Sequence, residues 1–141
     1  MKRFIRLVCL LVAIVMLVAV PSYAEGLSQK ASSYFSAYRA YCYAASSTRI
    51  EINFTVIGVG VMDEIGASQI LVQRSSDRTN WTTVKTFSRS NCSDMIATNT
   101  GFHGATLSCD VASGYYYRAY VTFYAENSSG HGEKNYYTEI I

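Results

Sequence analysis

The chain has 141 residues, with 12 Lys+Arg against 10 Asp+Glu and a formal net charge of +2. Three of the basic residues and none of the acidic ones lie in the first 24 positions, so residues 25–141 carry nine against ten and a charge of −1. That leaves no basic run and removes the electrostatic basis for nucleic-acid binding; a length of 117 residues fits one small domain.

In chain order, the first segment reads as a secretory leader. MKRFIR supplies the charged start, CLLVAIVMLVAV an uninterrupted apolar run, and PSYA small residues at Ser22 and Ala24. The apolar stretch Leu7 to Val20 is shorter than the ~20 residues that cross a bilayer. Cleavage after Ala24 is therefore expected over a retained anchor, giving a secreted, extracellular product without stable membrane insertion. Residues 25–37 are expected to be a loosely ordered lead-in to a single domain spanning 25–141.

Ala31 to Ala45 is ambiguous. Tyr34, Tyr38 and Tyr41 have helical spacing, whereas YRAYCYA alternates, and its second half is assigned to a first strand. Arg49 to Val56, RIEINFTV, alternates strictly, with Ile50, Ile52, Phe54 and Val56 on one face. The glycines of VIGVGVMDEIGA are expected to end it, with MDEIGA as a loop. QILVQR and WTTVKTF flank the polar turn SSDRTN and predict a hairpin, whose inward set is either Ile70/Val72 or Leu71.

Ser88 to Gly101 reads as an irregular connection, followed by the short strand GATLSC. The strand YYYRAYVTFYA sorts into two faces. Tyr115, Tyr117, Ala119, Val121 and Phe123 contain every aliphatic residue and are placed inside; Tyr116, Arg118, Tyr120, Thr122 and Tyr124 are placed outside. ENSSGHGEK is expected to be a loop and NYYTEII the last strand. About seven strands and no convincing amphipathic helix predict an all-β, immunoglobulin-like two-sheet sandwich.

From Tyr38 to Ile141 the pattern resembles a fibronectin type III domain. SGYYYRAYVTFYAENSSGHGEKNYYTEI resembles its last hairpin, with Tyr115 in the place of the tyrosine that opens the penultimate strand. IEINF resembles its second strand, with Phe54 where a tryptophan is usual, and ILVQRSSDRTNWTTVKTF its third-to-fourth hairpin. MDEIGASQILVQRSSDRTNWTTV together with GYYYRAYVTFYA is also similar to a group of small secreted proteins of Gram-positive bacteria, of unknown function. That resemblance implies a β-sandwich and extracellular release, and carries no catalytic residue.

The candidate chemistry is sparse. Cys9 leaves with the leader, and Cys42, Cys92 and Cys109 form an odd set in an oxidising compartment. Cys92–Cys109 closes the shortest loop and is the favoured disulfide; small apolar fillers are the alternative. His103 and His131 have no orienting partner for a Cys–His nucleophile. Neither zinc spacing nor a calcium loop is present, and no metal, cofactor or catalytic residue is assigned. The sequons at Asn53, Asn80, Asn91 and Asn127 carry no meaning in a bacterial product.

The outward stripe Tyr116, Arg118, Tyr120, Tyr124 stands above this background. Alternate positions of a strand lie ~7 Å apart and make a row. Trp81 and Tyr136 or Tyr137 flank that row if their strands are neighbours. Rigid amphipathic rings beside an arginine suit a binding face, while ordinary cross-strand packing needs no ligand. The expected function is a non-enzymatic secreted module that binds an extracellular protein or glycan through this face, or through the MDEIGA and NSSGHGEK segments at one end. A structural protein of an envelope or spore that assembles through sheet edges is the alternative; a hydrolase or toxin ranks last, with no acid–base pair or nucleophile placed.

Overall fold

The structure, a computed structural model, describes residues 33–141. The expected leader at 1–24 and most of the loosely ordered lead-in lie outside the described residues. The described chain is all-β, with six antiparallel strands in one curled sheet. They are β1 (Phe35–Ser46), β2 (Arg49–Ser75), β3 (Thr82–Ser88), β4 (Ile96–Asp110), β5 (Tyr116–Asn127) and β6 (Gly130–Tyr137). One 3-10 turn, Ser93–Met95, precedes β4.

Strand β2 organises the fold. Its first part pairs with β1 on one side and β4 on the other, in a register where Ile52 meets both Cys42 and Leu107. Its second part pairs with β5 and β3, and Leu71 meets both Tyr120 and Thr86. The strand order β1-β2-β5-β6 follows, with β3 and β4 also on β2.

Six strands replace the expected seven because RIEINFTV and QILVQR are two ends of the same strand. MDEIGA is not a loop. Met62, Ile65 and Ala67 are buried, and Ile65 pairs with Ala97 on one side and Ala125 on the other. Two flanking ladders hold the backbone extended where the local sequence favours a turn. The glycines mark bulges instead: four residues, Gly58 to Val61, stand against only Gly101 between the pairs Ile57↔Phe102 and Met62↔Thr100. Gly66 answers to a close approach. A Cβ there would sit 2.0 Å from the Met95 carbonyl oxygen.

Alternation translates into burial as expected for most of the chain. Ile50, Ile52, Phe54 and Val56 are buried, as are Ile70 and Val72, while Leu71 is half-buried; this fixes the inward register of the hairpin. Tyr117, Ala119, Val121 and Phe123 face the same core from β5. The curl brings β1 and the first part of β2 over β5: the Phe54 and Phe123 rings meet at 6.3 Å and Tyr38 and Phe123 at 5.2 Å. Burial of each such side chain stabilises the fold by about 1.5–3 kcal/mol.

The open choice at Ala31 to Ala45 resolves as strand over the described residues: β1 runs extended from Phe35, and its alternate residues Ala40 and Cys42 face the core. Three local expectations are corrected. Ser88 to Gly101 is not irregular throughout, since Ile96 already pairs with Gly66 at the start of β4. GHGEK belongs to β6, and the turn shrinks to the residues between Asn127 and Gly130, which pair with each other. Tyr115 is not inside. It precedes β5 at 42% exposure, and the buried tyrosine there is Tyr117, whose hydroxyl donates to the Ala112 carbonyl at 2.6 Å.

Candidate functional site: an arginine–aromatic ladder

Strand β5 lies inside the sheet, between β2 and β6, so its backbone is paired on both sides. Its outward side chains are therefore presented from a rigid base. Tyr116, Arg118, Tyr120 and Tyr124 are all half-buried on that face, in the expected row.

The neighbouring strands complete the row. The Arg118 guanidinium carbon lies 4.2 Å from the centre of the Trp81 ring system and 4.3 Å from that of Tyr137. Its Nε donates to Gln73 Oε1 at 2.9 Å. The guanidinium is thus clamped between two rings, one delivered before β3 and one by β6. Tyr120 packs on Tyr137 with ring centres 4.5 Å apart. Of the two flanking tyrosines considered from sequence, Tyr137 belongs to the row; Tyr136 packs inward on Tyr38.

The turn SSDRTN is a built element. Asp77 Oδ1 accepts from Ser75 Oγ and from the backbone amides of Thr79 and Asn80, and Oδ2 accepts from Asn80 Nδ2. These bonds, led by those from Asn80, hold the Asp77 carboxyl well below the usual carboxylate range. They also hold Arg78 at φ 63°, a left-handed conformation costing a non-glycine residue on the order of 1–2 kcal/mol. The Arg78 carbonyl accepts from Trp81 Nε1 at 3.2 Å, and its guanidinium lies 4.2 Å from the Tyr116 ring centre. One four-residue turn therefore places both Arg78 and Trp81 on the face. On the other side of the sheet, in register with buried Tyr117, Arg74 lies over exposed Tyr115 at 4.4 Å.

The far end of the row has another character. Arg89 lies over Tyr124 and is paired with Glu64. Tyr124 stacks on His131, and its hydroxyl donates to Glu126. That bond, followed by burial, pushes the Tyr124 phenol up to about 12. MDEIGA and the β5–β6 turn do lie side by side here, since Glu64 pairs with Glu126 and Glu126 with His131. They meet as strands rather than as two loops.

The described residues hold two ion pairs, Arg49–Asp110 and Arg89–Glu64. Arg74, Arg78 and Arg118 belong to neither. Each cation–π contact in such a ladder stabilises the sheet by about 0.5–1 kcal/mol at exposed sites, so the row ties β3, β5 and β6 together whether or not a ligand is bound.

The comparisons with known proteins leave the family open. No family model and no curated protein matches the chain. An X-ray structure of a Northeast Structural Genomics Consortium target aligns with a TM-score of 0.44 at 10% identity, covering 77% of this chain and 84% of that one.

The remaining candidates stay apart from the ladder. Cys42, Cys92 and Cys109 are free thiols, the first and last buried. Burial, then the nearby Cys109, pushes the Cys42 thiol up to about 12, and burial also raises Cys109; neither is a thiolate nucleophile at neutral pH. Cys92 and Cys109 are not bonded to each other. Strand β4 runs between them, and the fourteen residues from Ile96 to Cys109 span roughly 40 Å of strand at a rise of ~3.3 Å per residue. His103 Nε2 bonds the Asp94 carbonyl at 2.7 Å, and its ring packs edge-on against Phe54. Among the described residues no three His, Cys, Asp or Glu side chains gather as metal ligands, and no helix is long and apolar enough to cross a membrane.

Sequence reasoning named Trp81, Tyr116, Arg118, Tyr120 and Tyr124. It missed Arg78, Gln73 and the organising carboxylate of Asp77. The signal available was local: an aspartate followed two and three residues later by Thr79 and Asn80 is an Asx-turn pattern.

Proposed function

We propose that this chain is a secreted, non-enzymatic binding module with a fibronectin type III-like sandwich fold, which engages an extracellular protein or glycan through the face of β5. The observation that carries the reading is Arg118. Its guanidinium is clamped by Trp81 and Tyr137 and oriented by Gln73, yet its charge meets no carboxylate among the described residues. Rigid aromatic side chains around a preorganised arginine supply contact area at low entropic cost. The fold assignment is supported by Tyr117. A buried tyrosine near the start of a late strand, bonded back to a carbonyl five residues upstream, is the tyrosine corner of such sandwiches.

The test is to replace Tyr116, Tyr120 and Tyr124 by serine in pairs and repeat an unbiased co-purification and a glycan array. Loss of the captured partner with the fold retained is the expected outcome. Retention of every partner removes this face as the site.

A second reading, structural self-assembly through sheet edges, is favoured by β4. It pairs with β2 alone and carries no Asp, Glu, Lys, Arg or Pro between Ile96 and Cys109. Phe102 on it is 57% exposed and Val61 beside it 73%. Charges and prolines are the usual guards of an edge strand. Growth of particle size with concentration supports assembly; a strict monomer at high concentration refutes it.

A further inference from the structure

Resting on the reading of the β5 face as a binding surface, we infer that its ligand is an anionic polysaccharide, held by acidic groups on Arg118 and Arg78 and by sugar rings on the tyrosines. The ladder is polarised. At the end where β5 begins, Arg78 and Arg118 are stacked on rings and belong to no ion pair. The acidic side chains at this end are Asp77 and Glu139. Both Asp77 oxygens are turned into the loop by Ser75, Thr79 and Asn80, and Glu139 makes no ion pair. At the other end Arg89 is already neutralised by Glu64. An anion therefore finds free guanidinium edges at one end only.

The geometry of Arg118 sets the mode. The guanidinium packs against the rings of Trp81 and Tyr137, and Nε is given to Gln73. What remains is the terminal Nη edge, which accepts a carboxylate or sulfate in the guanidinium plane. Arg78 is held over Tyr116, the outward residue two positions before Arg118 on β5. Strain at Arg78, stabilised by a saturated carboxylate, is spent on placing a cation on an otherwise finished face.

A saccharide fits this surface better than a peptide. Strand β5 is paired on both sides, so no backbone is left for strand addition, and recognition falls to flat side chains. Tyr137 keeps 52% of its surface in solvent, beside the stacked Arg118, as a platform for sugar rings.

The experiment is calorimetric titration of the full chain with an oligogalacturonate, a heparin oligosaccharide, a neutral maltooligosaccharide and a poly-glutamate peptide, at two salt concentrations. At least one acidic oligosaccharide is expected to bind ten-fold or more tightly than the neutral one, with affinity falling as salt rises. Binding of the oligogalacturonate names the carboxylate; binding of heparin, which carries both groups, without the oligogalacturonate names the sulfate. Arg78→Gln and Arg118→Gln are each expected to weaken that binding by roughly ten-fold or more, and Arg118→Lys, which keeps the charge and loses the fork, also weakens it. Should a variant lose its near-ultraviolet dichroism, the salt response and ligand ranking of the unaltered chain decide the matter. Equal affinity for the neutral sugar, tighter binding of poly-glutamate, or no binding of either acidic sugar overturns the inference. The wider reading survives those results if partner capture still depends on Tyr116, Tyr120 and Tyr124. Full affinity in Arg78→Gln/Arg118→Gln overturns the inference and moves the acidic ligand off this face.

Discussion

Replacing Gly66 by alanine tests the continuous β2 strand at its tightest point. The Cβ would lie 2.0 Å from the Met95 carbonyl oxygen and 2.9 Å from Ile96 Cα. Real Cβ contacts essentially never fall below 3.0 Å, so β4 must retreat by about 1 Å or more from β2 where Gly66 pairs with Ile96. Neither partner is the end of a flexible side chain, and Met95 itself is fully buried against the core. Overpacking of this kind costs about 1–3 kcal/mol, and the backbone conformation of Gly66, φ 157°, adds strain for an L-residue. A total near 3 kcal/mol corresponds to a fall in melting temperature of roughly 10 °C or more for a domain of this size. Gly60→Ala is the matched control. Its φ is 91°, but nothing lies within 4 Å of the added carbon, so strain acts there without a clash. Thermal and denaturant unfolding of both variants give the comparison. Gly66→Ala within about 1 kcal/mol of the parent chain, or no worse than Gly60→Ala, refutes the close approach of β4 to β2.

Three further outcomes are expected. The Asp77 carboxyl is held below its ordinary value, so the stability it contributes is present above its unfolded pKa of about 3.9 and is lost as pH falls through the folded value; Asp77→Asn should flatten the acid limb of a denaturant-midpoint profile, and an unchanged limb counts against the loop described. Trp81→Ala removes a cation–π contact and the bond from Nε1 to Arg78, costing about 1–2 kcal/mol in chemical denaturation; a loss below 0.3 kcal/mol indicates that the clamp on Arg118 does not form in solution. Thiol labelling of the native chain at pH 8 should modify Cys92 first, with Cys42 and Cys109 reacting only on unfolding; equal rates at all three contradict the burial of Cys42 and Cys109.

The strands that face one way were legible because a single sheet surface decides them. RIEINFTV and the later part of YYYRAYVTFYA alternate, and Ile52, Phe54, Val121 and Phe123 are all fully buried. MDEIGA was not legible. Its Asp63, Glu64 and Gly66 read locally as a turn, and the two ladders that keep it extended come from β4 and β5, distant in sequence. Tyr115 and Tyr117 share a parity, so alternation alone did not say where the strand begins; the answer lies in the hydrogen bond from Tyr117 to Ala112. The row on β5 was visible as composition. Its assembly was not, because it requires β3 and β6 to flank β2 and β5, and strand order is a property of the whole sheet. Asp77 read as turn chemistry, and only its partners reveal that the turn aims Arg78 and Trp81.

The most direct test of a binding face on β5 is hydrogen exchange by mass spectrometry on the full chain, with and without the partner it captures. The ladder predicts added protection in peptides spanning Arg74–Trp81, Tyr116–Tyr124 and Gly130–Tyr137, with β1 and β4 unchanged. Protection confined to β1 or β4 would contradict it.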